Sequence, residues 1–231
     1  MIVDVIIPAL DEADTLPLVL RAIPRQLVRD VYVVDNGSTD GTQLAAVQGG
    51  ARLLVEPLRG YGAACLRGIR HLCGLEQPPD VVVFLDGDFA DDPSELGWVV
   101  EPIRAGAADL VIGSRTLGER EPGAIALQQR IGNQVAVSLI RVIYGQRYTD
   151  LGPFRAIRLP ALVALGLHDT GYGLTIEMQV KAAKLGLRIV EVPVSYRRRA
   201  GGASKISATV RGTLGASYKI LYTIFRHATA R

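Results

Sequence analysis

The chain has 231 residues, of which 48% are hydrophobic and 21% charged, a balance that fills a substantial globular core and excludes a disordered chain or a fibrous repeat. Its longest uncharged stretch, Gly41 to Ala51, is about eleven residues rich in glycine and glutamine, well short of the ~20 apolar residues that span a bilayer. The net charge of +3 conceals an asymmetry: after Glu191 the chain carries Arg197, Arg198, Arg199, Lys205, Arg211, Lys219, Arg226 and Arg231 but no carboxylate, so a mildly acidic body precedes a basic tail suited to phosphate.

Met1 leads directly into an apolar run containing Asp4, without the basic leader of a secretory signal, and the expected location is cytoplasmic. Short β-branched runs then alternate with helical patterns. Strands are expected at Val3–Pro8, Val31–Asp35, Arg52–Val55, Val81–Asp86 and Leu110–Ile112. Helices are expected from Thr15 to Ile23, Gly41 to Val47, Gly60 to Leu72 and Pro93 to Arg104. This beat predicts an α/β fold with a largely parallel sheet. The unbroken apolar run Val81 to Leu85 suits a central strand covered on both faces. Asp92 is placed to cap the helix that follows, with Pro93 in its first turn and Glu95 reaching back. The second half predicts helices from Gln128 to Tyr144 and Gly173 to Lys184, extended pieces at Gly152–Arg158 and Arg188–Val194, and an amphipathic helix from Ser207 to Phe225. Cys65 and Cys73, about 12 Å apart along a helix, are too distant for a disulfide and are expected to be buried thiols.

Ligands of open α/β sheets bind beyond the carboxyl ends of the strands, and here those turns are acidic: Asp11-Glu12, Asp35 to Gly41, and Asp86-Gly87-Asp88. The two carboxylates of the last turn would repel each other unless a proton or cation intervened, and a hard divalent ion such as Mg²⁺ or Mn²⁺ resolves that repulsion. A plain solvated turn that caps the next helix would also fit. Asp35 to Gly41 fits a ribose or base site, or a simple turn with Thr39 or Asp40 as helix cap. Arg59-Gly60-Tyr61-Gly62 has the glycines of a loop that passes close to a nucleotide or simply turns. A D-x-D also opens haloacid-dehalogenase-type phosphatase motifs, but Gly-Thr or a similar pair follows there, whereas Phe89-Ala90 follows here.

Taken in order, Val5 to Glu12, Val33 to Gly41, Arg59 to Ala63, Phe84 to Asp88 and Leu110 to Arg115 resemble the successive motifs of a family 2 glycosyltransferase. Arg130 to Asn133, Asp150 to Arg155, Glu191 to Pro193 and Arg199 to Lys205 are similar to its polyprenyl-phosphate (dolichyl-phosphate mannose synthase-like) branch. The resemblance implies a GT-A fold, a Rossmann-like sheet sandwiched by helices, with residues 1–206 as the catalytic domain and 207–231 as a basic helical extension. It implies that Pro8, Ala9, Leu10, Glu12, Asp35, Asn36, Asp40, Gly60, Gly62, Asp86 and Gly87 bind the nucleotide of a UDP- or GDP-linked sugar. Asp86 and Asp88 would hold Mg²⁺ or Mn²⁺ and, with Arg115 and Arg130, form the catalytic set. Three positions depart from the pattern: Asp11 where the family often has Asn, Asn36 where it often has Asp, and Gly87 where it often has Ala.

A hydroxyl acceptor needs a general base, whereas a phosphate monoester is already an anion and needs cations. Arg115, Arg130, Arg199 and Lys205 in the acceptor region favour a lipid-phosphate or other phosphorylated acceptor, with transfer inverting as the family implies. For a hydroxyl acceptor, Asp150 or Glu177 would be the candidate bases. Arg197 to Arg199 would also suit a solvated surface run, and the acidic turns would equally serve a nucleotide-sugar-binding scaffold without turnover. The basic helix is suited to peripheral contact with the inner face of a membrane, or to packing on the protein or on a second subunit. No recognisable nucleic-acid-binding module accompanies the basic stretch.

Overall fold

A computed structural model describes residues 1–201 and 210–229. Seven strands form one sheet: β1 (Val3–Ala9), β2 (Asp30–Asp35), β3 (Arg52–Val55), β4 (Val81–Phe84), β5 (Leu110–Ser114), β6 (Arg155–Arg158) and β7 (Ile189–Pro193). Their order across the sheet is β3-β2-β1-β4-β6-β5-β7. Every pairing is parallel except those of β6, which runs antiparallel between β4 and β5. The helices are α1 (Leu16–Ala22), α2 (Thr42–Gln48), α3 (Tyr61–Cys73), α4 (Leu96–Arg104), α5 (Leu127–Tyr144), α6 (Leu159–Ala164), α7 (Leu174–Lys184) and α8 (Val210–Thr229). Residues 202–209, and with them the expected boundary at 206/207, lie outside the described residues.

Alternation along the strands divides the core into two layers. Val5, Ile7, Val33 and Val83 pack with Leu16 and Leu20 of α1 and Val99 and Ile103 of α4. Ile6, Tyr32, Val34 and Phe84 face the other way, among Leu72 of α3, Ile140 of α5, Leu174 of α7 and Ile224 of α8. β4 is buried along its whole length, as its unalternated apolar sequence predicts.

Several local expectations are corrected. The extended piece expected from Gly152 becomes a strand only at Arg155, because β4, its partner, ends in the pair Phe84–Arg155. The short helix α6, with Pro160 in its first turn, has no counterpart among the expected elements. Asp92 does cap, accepting from Ser94 N at 3.1 Å, but Glu95 does not reach back. Its carboxylate accepts from Ser195 N at 2.7 Å and Ser195 Oγ at 2.6 Å, tying the later chain to the start of α4. Cys65 is buried, whereas Cys73 is exposed. Eight residues at ~100° each leave Cys73 about 80° off the face that holds Cys65.

Candidate active site

The parallel register of β2, β1 and β4 brings the three acidic turns to one sheet edge. They open into a cavity of about 340 Å³ lined by Pro8, Ala9, Leu10, Glu12, Asn36, Arg59, Gly60, Tyr61, Ala64, Asp86, Gly87, Tyr172 and Arg199. Eight of the expected nucleotide-binding residues meet here. Asp35 lies fully buried beneath, accepting from Gln43 Nε2 at 2.8 Å and from the N–H groups of Gly37 and Ser38. Asn36 is fully engaged: its amide donates to the carbonyls of Glu56 (2.9 Å) and Leu58 (2.7 Å), and its oxygen accepts from Gly60 N at 2.7 Å, so it shapes the cavity wall. Asp40 lies outside the lining. It accepts from Thr42 N at 2.9 Å and Ala13 N at 3.2 Å, one residue ahead of Gly41, which is the N-cap of α2. Asp11 has φ 50°, a left-handed conformation that Asn and Asp share, which accounts for the exchange of one for the other. A Cβ on Gly87 would lie 3.6 Å from Glu12 Cγ, ordinary contact that an alanine would also make.

The glycines at the start of α3 pack against a neighbouring loop. Gly62 N donates to Gly171 O at 3.1 Å and Ala63 N to Thr170 O at 2.9 Å. A Cβ on Gly62 would stand 2.0 Å from Asp169 O, and one on Gly60, whose φ is 143°, would stand 2.1 Å from Thr170 O. These glycines are required for close packing on the loop 169–171, and Gly60 also lines the cavity.

At the end of β4 the charges are unevenly matched. Asp88 Oδ2 accepts from Arg199 Nε at 2.6 Å, and Arg199 Nη2 also reaches Glu12 Oε1 at 3.2 Å. Asp86 Oδ1 is buried with no hydrogen-bond partner; burial, and then Asp88 beside it, push the Asp86 carboxyl above the ordinary carboxylate range. An under-compensated pair of hard oxygen donors fits Mg²⁺ or Mn²⁺. Arg199, expected on the acceptor side, lies on this side instead. Its neighbours Arg197 and Arg198 are exposed, with surface pairs to Asp92 and Glu121.

A second cavity, about 540 Å³, holds Arg115, Arg120, Arg130 and Asp150 among Ile125, Leu127, Ile131, Leu151, Ile176 and Ile220. Asp150 Oδ2 accepts from Arg115 N (2.9 Å) and Nε (2.7 Å), and Oδ1 accepts from Arg115 Nη2 and Leu151 N (both 2.8 Å). Burial opposes its charge, but Arg115 more than offsets this and holds its pKa below the ordinary value. Arg115 also stacks 5.0 Å over Tyr196. Asn133 and Glu191 have positioning roles: Asn133 bonds Thr149 O (3.0 Å) and Leu151 N (2.9 Å), and Glu191 accepts from the N–H groups of Thr149 and Asp150. Arg130 lines the cavity with no ion-pair partner among the described residues. Lys205 lies outside them.

Glu177 lies outside both cavities. It is fully buried, within 2.7 Å of Lys181 Nζ and His168 Nδ1 and 3.9 Å of His227 Nε2 on α8. His168, Glu177 and His227 are close enough to share an ion, but the Lys181 ammonium already neutralises the carboxylate. Burial would raise the Glu177 pKa, yet bonds from Lys181 and the N–H groups of Asp169 and His168 hold it below 4.5. Burial depresses His227 below 6.5. A depressed histidine favours the fold while neutral, so its contribution is lost as pH falls below about 6.5; that of Glu177 is lost below about 4.5. On acidification from pH 7.5 to 5, the melting temperature of His227→Gln should therefore gain on that of wild type, because the variant lacks this loss. A constant difference between the two would contradict the assignment.

Three residues escaped the sequence reading: Arg120 in the larger cavity, Tyr172 and Asp91. Tyr172 lines both cavities. Asp91 is buried with neither oxygen hydrogen-bonded; burial holds its carboxyl well above the ordinary range, favouring the protonated acid beside Arg115, Asp86 and Asp88. As the third acid of the run Asp86 to Asp92 it was visible, but nothing local set it apart from the cap beside it.

The family model described as "Glycosyl transferase family 2" matches residues 4–166. An uncharacterised glycosyltransferase of Mycobacterium tuberculosis is 37% identical over 214 residues, 92% of this chain and 93% of that protein. The undecaprenyl-phosphate mannosyltransferase of Micrococcus luteus is 36% identical over 225 residues, 90% of this chain and 88% of that one. Among solved structures, glucosyl-3-phosphoglycerate synthase from Mycobacterium tuberculosis, in complex with Mn²⁺, UDP-glucose and phosphoglyceric acid, is 25% identical with a TM-score of 0.77, covering 98% of this chain and 79% of that one. The sheet, its acidic edge and these matches agree: the fold is GT-A, and the chain is a glycosyltransferase belonging to glycosyltransferase family 2.

Proposed function

We propose that this enzyme transfers a hexose, with inversion, from a nucleotide diphosphate sugar in the 340 Å³ chamber to a phosphate-bearing acceptor, a polyprenyl phosphate, in the 540 Å³ chamber. The observation that carries the reading is the chemistry of the larger chamber: three arginines among apolar side chains, and one carboxylate, Asp150, whose oxygens are taken by Arg115 and Leu151. Such a chamber suits an anionic head on an apolar chain and offers a hydroxyl acceptor no base. The mannosyltransferase relative is named for undecaprenyl phosphate, and the synthase neighbour holds a phosphorylated acceptor, both in accord.

On the donor side, Asp86 and Asp88 would hold Mg²⁺ or Mn²⁺, which when bound supplies positive charge for the departing diphosphate. Arg199 adds a fixed cation, and Asn36 with Asp35 shapes the nucleotide wall. On the acceptor side, Arg130 and Arg120 would pair with the phosphate, while Arg115, already neutralised, orders the wall. Location at the inner face of a membrane is part of the proposal. No described helix is long and apolar enough to cross a membrane, but Leu127, Ile131, Val135 and Val142 form an exposed apolar stripe along α5 beside exposed Leu221 and Phe225 of α8.

The test supplies UDP-, GDP- and dTDP-sugars with Mn²⁺ to undecaprenyl phosphate in anionic vesicles, and to undecaprenol as the hydroxyl control. Transfer to the phosphate alone is expected, with the protein co-sedimenting with the vesicles. Arg130→Ala should raise the acceptor KM by about 10- to 100-fold at unchanged donor affinity, since one charge-assisted bond is worth ~1.5–3 kcal/mol. Equal transfer to undecaprenol would overturn the phosphate reading.

A further inference from the structure

The two chambers meet at Tyr172, which contributes to the lining of both. The residue is 44% exposed, and its hydroxyl has no hydrogen-bond partner among the described residues. The backbone beneath the ring is held on three sides. Gly62 and Ala63 of α3 donate to the carbonyls of Gly171 and Thr170, and Glu177 of α7 donates its N–H to Gly173 O at 2.8 Å. Glu177 Oε2 accepts from Asp169 N at 2.8 Å, and Lys219 of α8 pairs with Asp169 at 2.8 Å. Even the small residues are fixed by space, since a Cβ on Gly173 would stand 2.4 Å from Asp169 Oδ2. An apolar ring left open to solvent on so constrained a backbone is pre-organised to receive something. What must lie at this junction, between a diphosphate and an attacking phosphate, is the transferred sugar, whose C–H face is the complement of an aromatic ring.

We propose that Tyr172 is a substrate-positioning residue whose ring seats the transferred pyranose at the junction of the two chambers. The proposal rests on the reading of the chambers as donor and acceptor sites, and it adds the residue that fixes the sugar between them.

Calorimetry with Mn²⁺ compares the free nucleoside diphosphate with the corresponding nucleotide sugar for wild type, Tyr172→Ala and Tyr172→Phe, alongside thermal melts and steady-state kinetics. For Tyr172→Ala the free nucleotide should bind within about twofold of wild type, the nucleotide sugar about tenfold more weakly, and kcat should fall roughly 100-fold from loss of orientation. Tyr172→Phe should retain all three within about threefold. A Tyr172→Ala variant equal to wild type in sugar-nucleotide affinity and kcat overturns the proposal while leaving the donor site intact. Equal weakening of free nucleotide and nucleotide sugar overturns it in favour of a base or diphosphate contact. A Tyr172→Phe variant as impaired as Tyr172→Ala replaces the ring with the hydroxyl as the acting group and also overturns it. If wild type binds no nucleotide sugar, the donor reading itself fails and Tyr172 falls with it.

Discussion

Asp88→Asn should yield a folded protein that no longer binds nucleotide sugar in a metal-dependent manner and whose transfer rate is lower by at least about 10³-fold, some 4 kcal/mol of transition-state stabilisation. The geometry separates folding from chemistry. Asparagine retains an oxygen for the N–H of Ala90, which Asp88 Oδ1 now accepts at 3.0 Å, and Arg199 keeps Glu12 as a partner. Removing one charge also relieves the repulsion on Asp86. Calorimetric titrations with and without Mn²⁺, read beside a thermal melt, check both halves. Undiminished metal-dependent binding would show that the pair does not hold the ion, and a collapsed melt would assign Asp88 to the fold.

Breaking the Arg115–Asp150 pair should cost the most stability. Either Arg115→Ala or Asp150→Ala leaves a buried charge without its counterion, typically ~3–5 kcal/mol, which for a chain of this size lowers the melting temperature by roughly 10 °C or more. The double substitution should cost clearly less than the sum of the singles, because the stranded charge is then gone; additive losses would argue against the pair as the source. The consequence for acceptor assays is direct. Loss of transfer in an Arg115 variant cannot by itself identify a phosphate acceptor, since the guanidinium is occupied with holding the wall. Arg130 is the informative position.

Much of the smaller cavity was legible in the sequence because its chemistry is local. Each acidic turn follows its strand within a few residues, and parallel pairing of β2, β1 and β4 carries the three turns to one edge without further information. The rest depends on contacts that sequence spacing hides. Arg199 meets Glu12 across 187 positions, so a cation that the motif assigns to the acceptor lines the smaller cavity beside Asp88. Glu177 looks like a base by type but is consumed by Lys181 and His168. Tyr172 sits in a glycine-flanked loop with no periodicity to mark it. Gly60 and Gly62 stand out in the sequence, but the close packing on loop 169–171 that they also serve does not, because a glycine signals that something approaches closely but not what approaches.

The place of β6 in the sheet also sets an order of assembly. β1 to β4 pair only with one another and with β6, so four parallel strands can associate as soon as residues 1–84 are available. β5 follows at residue 110, but its partners are β6 and β7, which begin at 155 and 189. For roughly forty residues of synthesis this fully buried strand has no edge to join, and the insertion of β6 is what unites the two halves. Contacts so distant in sequence are late and slow to form, and an emerging chain that pauses between β5 and β6 exposes an apolar, unpaired strand at the stage when aggregation competes with folding.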